Sequence, residues 1–290
     1  MNADKNHIRN IQNSPVAGFS QSQLLVSSLN TFYRKQLKSS LSIKIVEAGT
    51  EQYTISGKKY SVKSNEFIIV NQNEDLTTTV DTVENTKGVC IYPPIELISG
   101  AFERLTLTND EILDGQPQTL KPYFTPKINR LKNNPTGKFL ASLLQSIKYN
   151  SSFSGNELLG FYLRLADVLV ADQIVVNNDL RKLKPSRKST SEELYRRLLL
   201  SKDYIHDHQT EKFNLDDLAR ISCLSKYHFL RNFKDVFGQS PYQYVLRLKL
   251  QKAIQLINRG YSYIETNDLI GFSDPKNLKR AIKKYKSTFK

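Results

Sequence analysis

The stretch from Asn214 to Gly238 constrains the fold more than any other part of the chain. It reads as two short helices joined by a tight turn. Asn214 is placed to cap the first, and Asp216 and Asp217 put negative charge in its first turn, where the helix dipole favours it. Leu215, Leu218, Ala219 and Ile221 recur at the three- to four-residue spacing of one helix face. Ala219 is small enough for a second helix to cross it closely. Ser225 is positioned to cap that second helix, whose buried side is expected to hold Phe229, Phe233, Val236 and Phe237. Its other side carries Lys226, Tyr227, His228, Arg231 and Lys234. Gly238 ends it, and Ser240-Pro241 caps and starts the next. A helix packed on one side and cationic, polar and aromatic on the other suits the major groove of DNA.

Charge supports that reading. The chain's 42 Lys+Arg against 28 Asp+Glu leave a net charge of +14. From Arg187 to the end there are 21 basic and 11 acidic residues, a net of +10, while the first 186 residues hold 21 and 17, a net of +4. Positive charge gathered on one part of the chain is the footprint of a polyanion binder; a solvated lysine-rich surface is the plainer alternative. The N-terminus is polar, without the apolar core of a signal peptide, and no run of about 18 apolar residues occurs. Cys90 and Cys223 show no metal or redox spacing. A reduced cytoplasmic setting with no membrane partner is expected.

At 290 residues two domains are expected. Residues 1–20 are polar and read as frayed. From Ser40 to Tyr92 short alternating segments follow one another: 41–47, 53–55, 59–62, 66–70, 77–80 and 88–92, with a turn at Ser56-Gly57-Lys58-Lys59. They predict a small β-barrel or sandwich. Such barrels can hold metals, but His7, His206, His208 and His228 all fall outside the strands, so neither a metal centre nor a cofactor is expected. Tyr53, Tyr60, Phe67 and Tyr92 either line a pocket or, more commonly for such residues, fill the core.

From Tyr123 the period becomes helical, with amphipathic segments at 137–149 and 157–176. Their apolar excess needs a partner surface, either the barrel or a second subunit, and Leu159 and Leu165 are expected at a dimer contact. Asn177 to Thr190 is polar, basic and broken by Pro185, and reads as a linker. A helix over 192–206 is expected to turn Leu194, Leu198, Leu199 and Ile205 inward, and a long one over 241–258 to bury Tyr242, Val245, Leu246, Leu250, Ile254 and Ile257. A second helix–turn–helix pattern covers 262–286, with Pro275 in the first turn of its second helix.

These residues together resemble the DNA-binding domain of the AraC/XylS family of transcription regulators. The matching pieces are Leu215, Leu218-Ala219, Leu224-Ser225, Phe229 to Lys234, Phe237 to Pro241, Tyr244, Arg247-Leu248, Ala253, Gly271 to Asp274 and Lys283-Lys284. The resemblance implies an α+β architecture: a small cupin-like barrel with following helices, then an all-α domain with two helix–turn–helix units at about 214–237 and 262–286. It divides the chain into an effector-sensing and dimerisation domain over 1–180 (barrel about 40–95, helices about 120–176), a linker over 181–190 and a DNA-binding domain over 191–290. It also implies double-stranded DNA, a small-molecule effector and RNA polymerase as partners, a homodimer, and activation as the habit.

Carried over by position, the resemblance gives one recognition helix Tyr227, His228, Leu230 and Arg231 and the other Lys276, Asn277, Lys279 and Arg280. Arg suits guanine, since its fork donates to O6 and N7 together, whereas Lys226 and Lys234 suit phosphates. The second unit departs from the family pattern, with Thr266 where an aliphatic residue is usual, Asn267 in place of a small one and Ile282 in place of phenylalanine. It is expected to contribute mainly phosphate contacts. No Gly-rich phosphate loop, Gly-x-Ser-x-Gly elbow or His-Glu-x-x-His occurs, so no catalytic residue and no enzyme activity are expected. Two other readings compete with a sequence-specific regulator: a small-molecule-binding barrel with an accessory basic domain, and a non-specific nucleic-acid binder.

Overall fold

The computed structural model describes the chain apart from residues 1–5, 13–15, 17, 18, 20, 21, 107–122, 150–152, 184–187, 210–213, 273, 289 and 290. It divides into two compact units, Met1–Val176 and Asn177–Lys290.

In the first unit, strands β1 (His7–Asn10), β2 (Gln23–Gln36), β3 (Ser42–Ala48), β4 (Thr50–Ile55), β5 (Lys58–Lys63), β6 (Glu66–Val70), β7 (Leu76–Tyr92) and β8 (Ile128–Arg130) form one antiparallel sheet. Their order is β1-β2-β7-β3-β6-β8, with β4 paired to β5 and to the first part of β7, and the sheet curls into a nearly closed barrel. The β4–β5 hairpin turns at Ser56 and Gly57, with φ of 45° and 80°, the left-handed pair that a tight hairpin requires. The barrel is larger than the 40–95 read from alternation. Residues 7–10, expected to be frayed, pair with β2, and β8 pairs with β6 from far along the chain. Thr77–Val80 and Gly88–Tyr92 are not two strands but parts of one 17-residue strand. Its polar middle reads as a turn, yet β2 holds both ends in register on either side of a bulge between Leu29 and Thr31.

Strand alternation sends Ile43, Ile45, Val89 and Ile91 to the outer face of the sheet. There α1 (Ile95–Thr106), α2 (Pro135–Tyr149) and α3 (Gly155–Lys182) cover them through Ile98, Leu140, Tyr162 and Leu169. Helix α1 was not expected from the sequence. Leu165, expected at a subunit contact, is fully buried in this core and Leu159 packs against it, because the barrel itself supplies the partner surface. The inner face holds Val46, Tyr53, Ile55, Val62 and Ile68. Both faces of β3 are therefore buried, and the polar member of its alternation, Lys44, points into the barrel. Asn71 replaces a strand neighbour: its amide donates to the Phe124 carbonyl and its Oδ1 accepts from the Phe124 N–H, both at 2.8 Å.

The stretch Asn177 to Thr190 read as a linker, but α3 continues to Lys182 and α4 (Lys188–Asp207) starts six residues later in the numbering. Residues 184–187, with Pro185, lie outside the described residues. The second unit continues with α5 (Leu215–Ile221), α6 (Lys226–Phe237), α7 (Pro241–Asn258), α8 (Tyr263–Ile270) and α9 (Pro275–Thr288). In α4 the buried apolar positions are Tyr195, Leu198 and Ile205, while Leu194 and Leu199 are half-buried. In α7 the apolar stripe read from the sequence is only partly the buried one: Leu250 is buried and Ile254 and Ile257 pack against the core, but Tyr242 and Leu246 are exposed while Tyr244, Leu248, Ala253 and Leu256 are buried. This helix packs against α6 near its start and against α8 and α9 near its end, so its buried side follows two neighbours rather than one period.

The second helix–turn–helix unit closes over Leu250, Ala253, Leu256, Ile270, Leu278 and Ile282. Within it Thr266 and Asn267 are buried, and neither Thr266 Oγ1 nor Asn267 Oδ1 has a hydrogen-bond partner among the described residues. A buried acceptor left unpaired costs about 1–3 kcal/mol. Replacing Asn267 with alanine is therefore expected to stabilise the domain by about 1 kcal/mol, the low end of that range because the shortened side chain gives up some packing. Chemical unfolding of the two proteins checks this; an unchanged or lower stability contradicts it.

Candidate nucleic-acid interface

Local chemistry sets each end of α6. The Ser225 side chain accepts from the His228 N–H at its start, and Gly238, at φ 71°, ends it in the left-handed conformation that glycine adopts freely. Asn214 caps α5 by accepting from the Asp216 N–H, and Ser240 with Gln243 forms a reciprocal capping box on α7. The turn between α5 and α6 holds Cys223 at φ 50°, a left-handed position without glycine.

One side of α6 is locked. Phe229 and Phe233 are fully buried, and the Phe233 ring lies 4.6 Å from that of Phe237 and 5.7 Å from that of Tyr244. Ser201 and Ser222 are also buried, and both donate to the Leu218 carbonyl. Lys182 donates to the Val236 carbonyl at 3.0 Å and to Asp179 at 2.8 Å, placing a cation at the helix C-terminus, where the dipole favours it. Lys202 lies 4.7 Å from the Phe237 ring centroid, and its burial lowers its pKa. Lys182 and Lys202 were not singled out in the sequence, where both look like ordinary surface lysines.

The opposite side of α6 faces outward. Lys226, Tyr227, His228, Arg231 and Lys234 are exposed, and Leu230 is half-buried. Tyr227 and His228 pack edge-to-face with centroids 5.9 Å apart. Arg231 lies 3.9 Å from Asp235, an exposed pair that leaves its guanidinium able to reach elsewhere. Lys226 is tied 3.0 Å from Asp216 across the turn, so it bridges the two helices as well as facing outward. On α9, Lys276, Asn277, Lys279 and Arg280 are all exposed while Leu278 and Ile282 are buried. Asp274 accepts from the Lys276 N–H at 2.8 Å, and the Lys279 ammonium lies 5.7 Å from the Tyr263 ring centroid. Helix α9 carries six Lys and Arg and no acidic residue. The residues expected at the interface thus form two outward faces, one mixed and one almost purely cationic, on helices separated in the chain by α7 and α8. The 18-residue α7 is about 27 Å long.

Two family models match the chain: a helix-turn-helix domain over residues 218–288 and an AraC-like ligand binding domain over residues 28–159. The chain thus carries both a DNA-binding and a ligand-binding domain of the AraC type. The first matched stretch contains both outward helix faces; the second runs from within β2 into α3 and so covers most of the barrel, where the sequence alone offered only a strand pattern. Among curated relatives, the chain is 30% identical over 76 residues to the HTH-type transcriptional regulator YbfI of Bacillus subtilis, covering 26% of this chain and 28% of that protein. It is 30% identical over 82 residues to the MmsAB operon regulatory protein of Pseudomonas aeruginosa, covering 28% and 27%. The chain thus matches about a quarter of the length of these relatives. Among solved structures, a variant of apo ToxT from Vibrio cholerae aligns over 94% of both chains at 8% identity, with a TM-score of 0.34.

Proposed function

We propose that this protein is a sequence-specific DNA-binding transcription regulator of the AraC/XylS type, without enzymatic activity. In this reading α6 reads base edges in one major groove, α9 grips phosphates in the next, and a small molecule bound in the barrel controls the protein. The observation that carries it is the division of α6: Tyr227, His228 and Arg231 are exposed on a helix whose other side buries Phe229 and Phe233 completely. That arrangement presents adaptable polar groups on a rigid support, which groove reading requires. The absence of acidic residues from α9 supports phosphate binding there, since phosphate contacts need charge rather than a specific pattern. The proposal includes a homodimer, supported by the exposed apolar residues Leu163 and Val175 on α3, and a contact with RNA polymerase that activates transcription.

The test is binding of the full chain to its own upstream DNA, to random duplex and to single strands at several salt concentrations. If Lys226, Lys234, Lys276 and Lys279 each neutralise one phosphate, log K is expected to fall with log salt at a slope of about −4, from about −0.9 per phosphate. Binding that prefers a duplex sequence and shows this slope supports the proposal. Equal affinity for all duplexes, or a slope near zero, overturns it.

A further inference from the structure

We propose that the cavity inside the barrel binds a small organic carboxylate with a compact apolar body, its charged end seated on the Lys44 ammonium. This rests on reading the barrel as the effector-binding half and names the chemistry of what it binds. Lys44 is 8% exposed, and its Nζ donates to Cys90 Sγ at 2.7 Å and to Tyr92 Oη at 2.9 Å. No carboxylate lies within ion-pair distance of it among the described residues. Glu51, also buried, accepts from the Tyr53 hydroxyl and is wedged against Gly88, where a Cβ would fall 2.7 Å from Glu51 Oε1. That placement keeps Glu51 out of ion-pair contact with Lys44, though near enough for the two charges to attract. Burial works to lower the Lys44 pKa, but electrostatic and hydrogen-bond attraction to Cys90 and Tyr92 outweighs it, so the pKa is raised overall.

A buried cation without a touching counter-charge is unfavourable, and an anion in the cavity relieves it. Tyr92 assists: burial raises its pKa, so its hydroxyl keeps a proton to donate. The cavity opens to solvent and, with the solvent at its mouth included, has about 510 Å³ of empty space. Leu25, Leu29 and Phe32 form its apolar wall, and Arg34 stands at the rim. A neutral polyol needs many paired donors and acceptors and leaves Lys44 uncompensated. A carboxylate with an apolar body satisfies both the ammonium and the wall.

The experiment uses the full chain, with calorimetric titration of butyrate, hexanoate and benzoate, each against its own amide, and of inorganic phosphate. At least one acid is expected to bind about 10- to 150-fold more tightly than its amide, the value of a hydrogen-bonded charge. Lys44→Met is expected to abolish that preference, and Tyr92→Phe, which keeps the ammonium and the ring, to weaken acid binding several-fold. Should Lys44→Met fail to fold, the Tyr92→Phe comparison decides. Acids bound no better than amides, acid binding unchanged in the variants, no binding by any of the acids, or binding of phosphate alone overturns the proposal. Sequence-specific DNA binding is measured on the same samples. If DNA is bound specifically and no acid binds, this inference fails and the regulator reading stands; the reverse outcome sinks that reading and leaves this one.

Discussion

Replacing Phe233 with alanine is expected to destabilise the helical unit by about 3–5 kcal/mol, the usual cost of removing a buried aromatic ring. Phe233 is 0% exposed, and its ring meets those of Phe229 at 5.4 Å, Phe237 at 4.6 Å and Tyr244 at 5.7 Å. It is the residue through which α6 docks against both α7 and its own neighbours one turn away. A loss of that size is a large share of the roughly 5–15 kcal/mol that holds a typical domain together. Binding to every DNA sequence is expected to fall in parallel, because the recognition face loses its support rather than its chemistry. Urea unfolding followed beside DNA titration checks this. A loss below about 1 kcal/mol would mean that the cluster closes over the gap and that Phe233 is not the anchor.

Arg231→Ala is expected to do the opposite, leaving stability nearly unchanged and weakening the cognate site by about 5- to 150-fold. That range corresponds to about 1–3 kcal/mol for a bidentate guanine contact. The side chain is 46% exposed and that of its partner Asp235 39%, so little folding energy depends on the pair. Affinity for unrelated DNA is expected to fall much less. Lys234→Ala gives the contrast, weakening both kinds of site nearly equally and lowering the salt slope by about one unit. Equal losses on specific and random DNA for Arg231→Ala would demote it to a phosphate contact. Together the Phe233 and Arg231 variants separate support from reading within a single helix.

The chain's own order determined the helix–turn–helix units because their signals are local. Asn214, Ser225, Ser240 and Gly238 each act within four residues of the helix end they fix, and Phe229 and Phe233 are one helical turn apart. Once those caps and that spacing are present, the outward position of Tyr227, His228 and Arg231 follows from helix geometry alone. The barrel obeys different physics. In β3 the alternation of Ile43, Lys44 and Ile45 shows that two faces differ, but not which one faces inward, and the usual assumption sends the lysine to water. Only the three-dimensional structure, with helices covering the outer face through Tyr162 and Leu169, turns Lys44 into the barrel beside Cys90 and Tyr92. The same holds for Asn71, which pairs with Phe124 across 53 residues, and for α7, whose buried side is set by two partners. Short-range capping and periodicity can be read along a chain, whereas which of two faces is buried depends on neighbours that the chain brings together only when it folds.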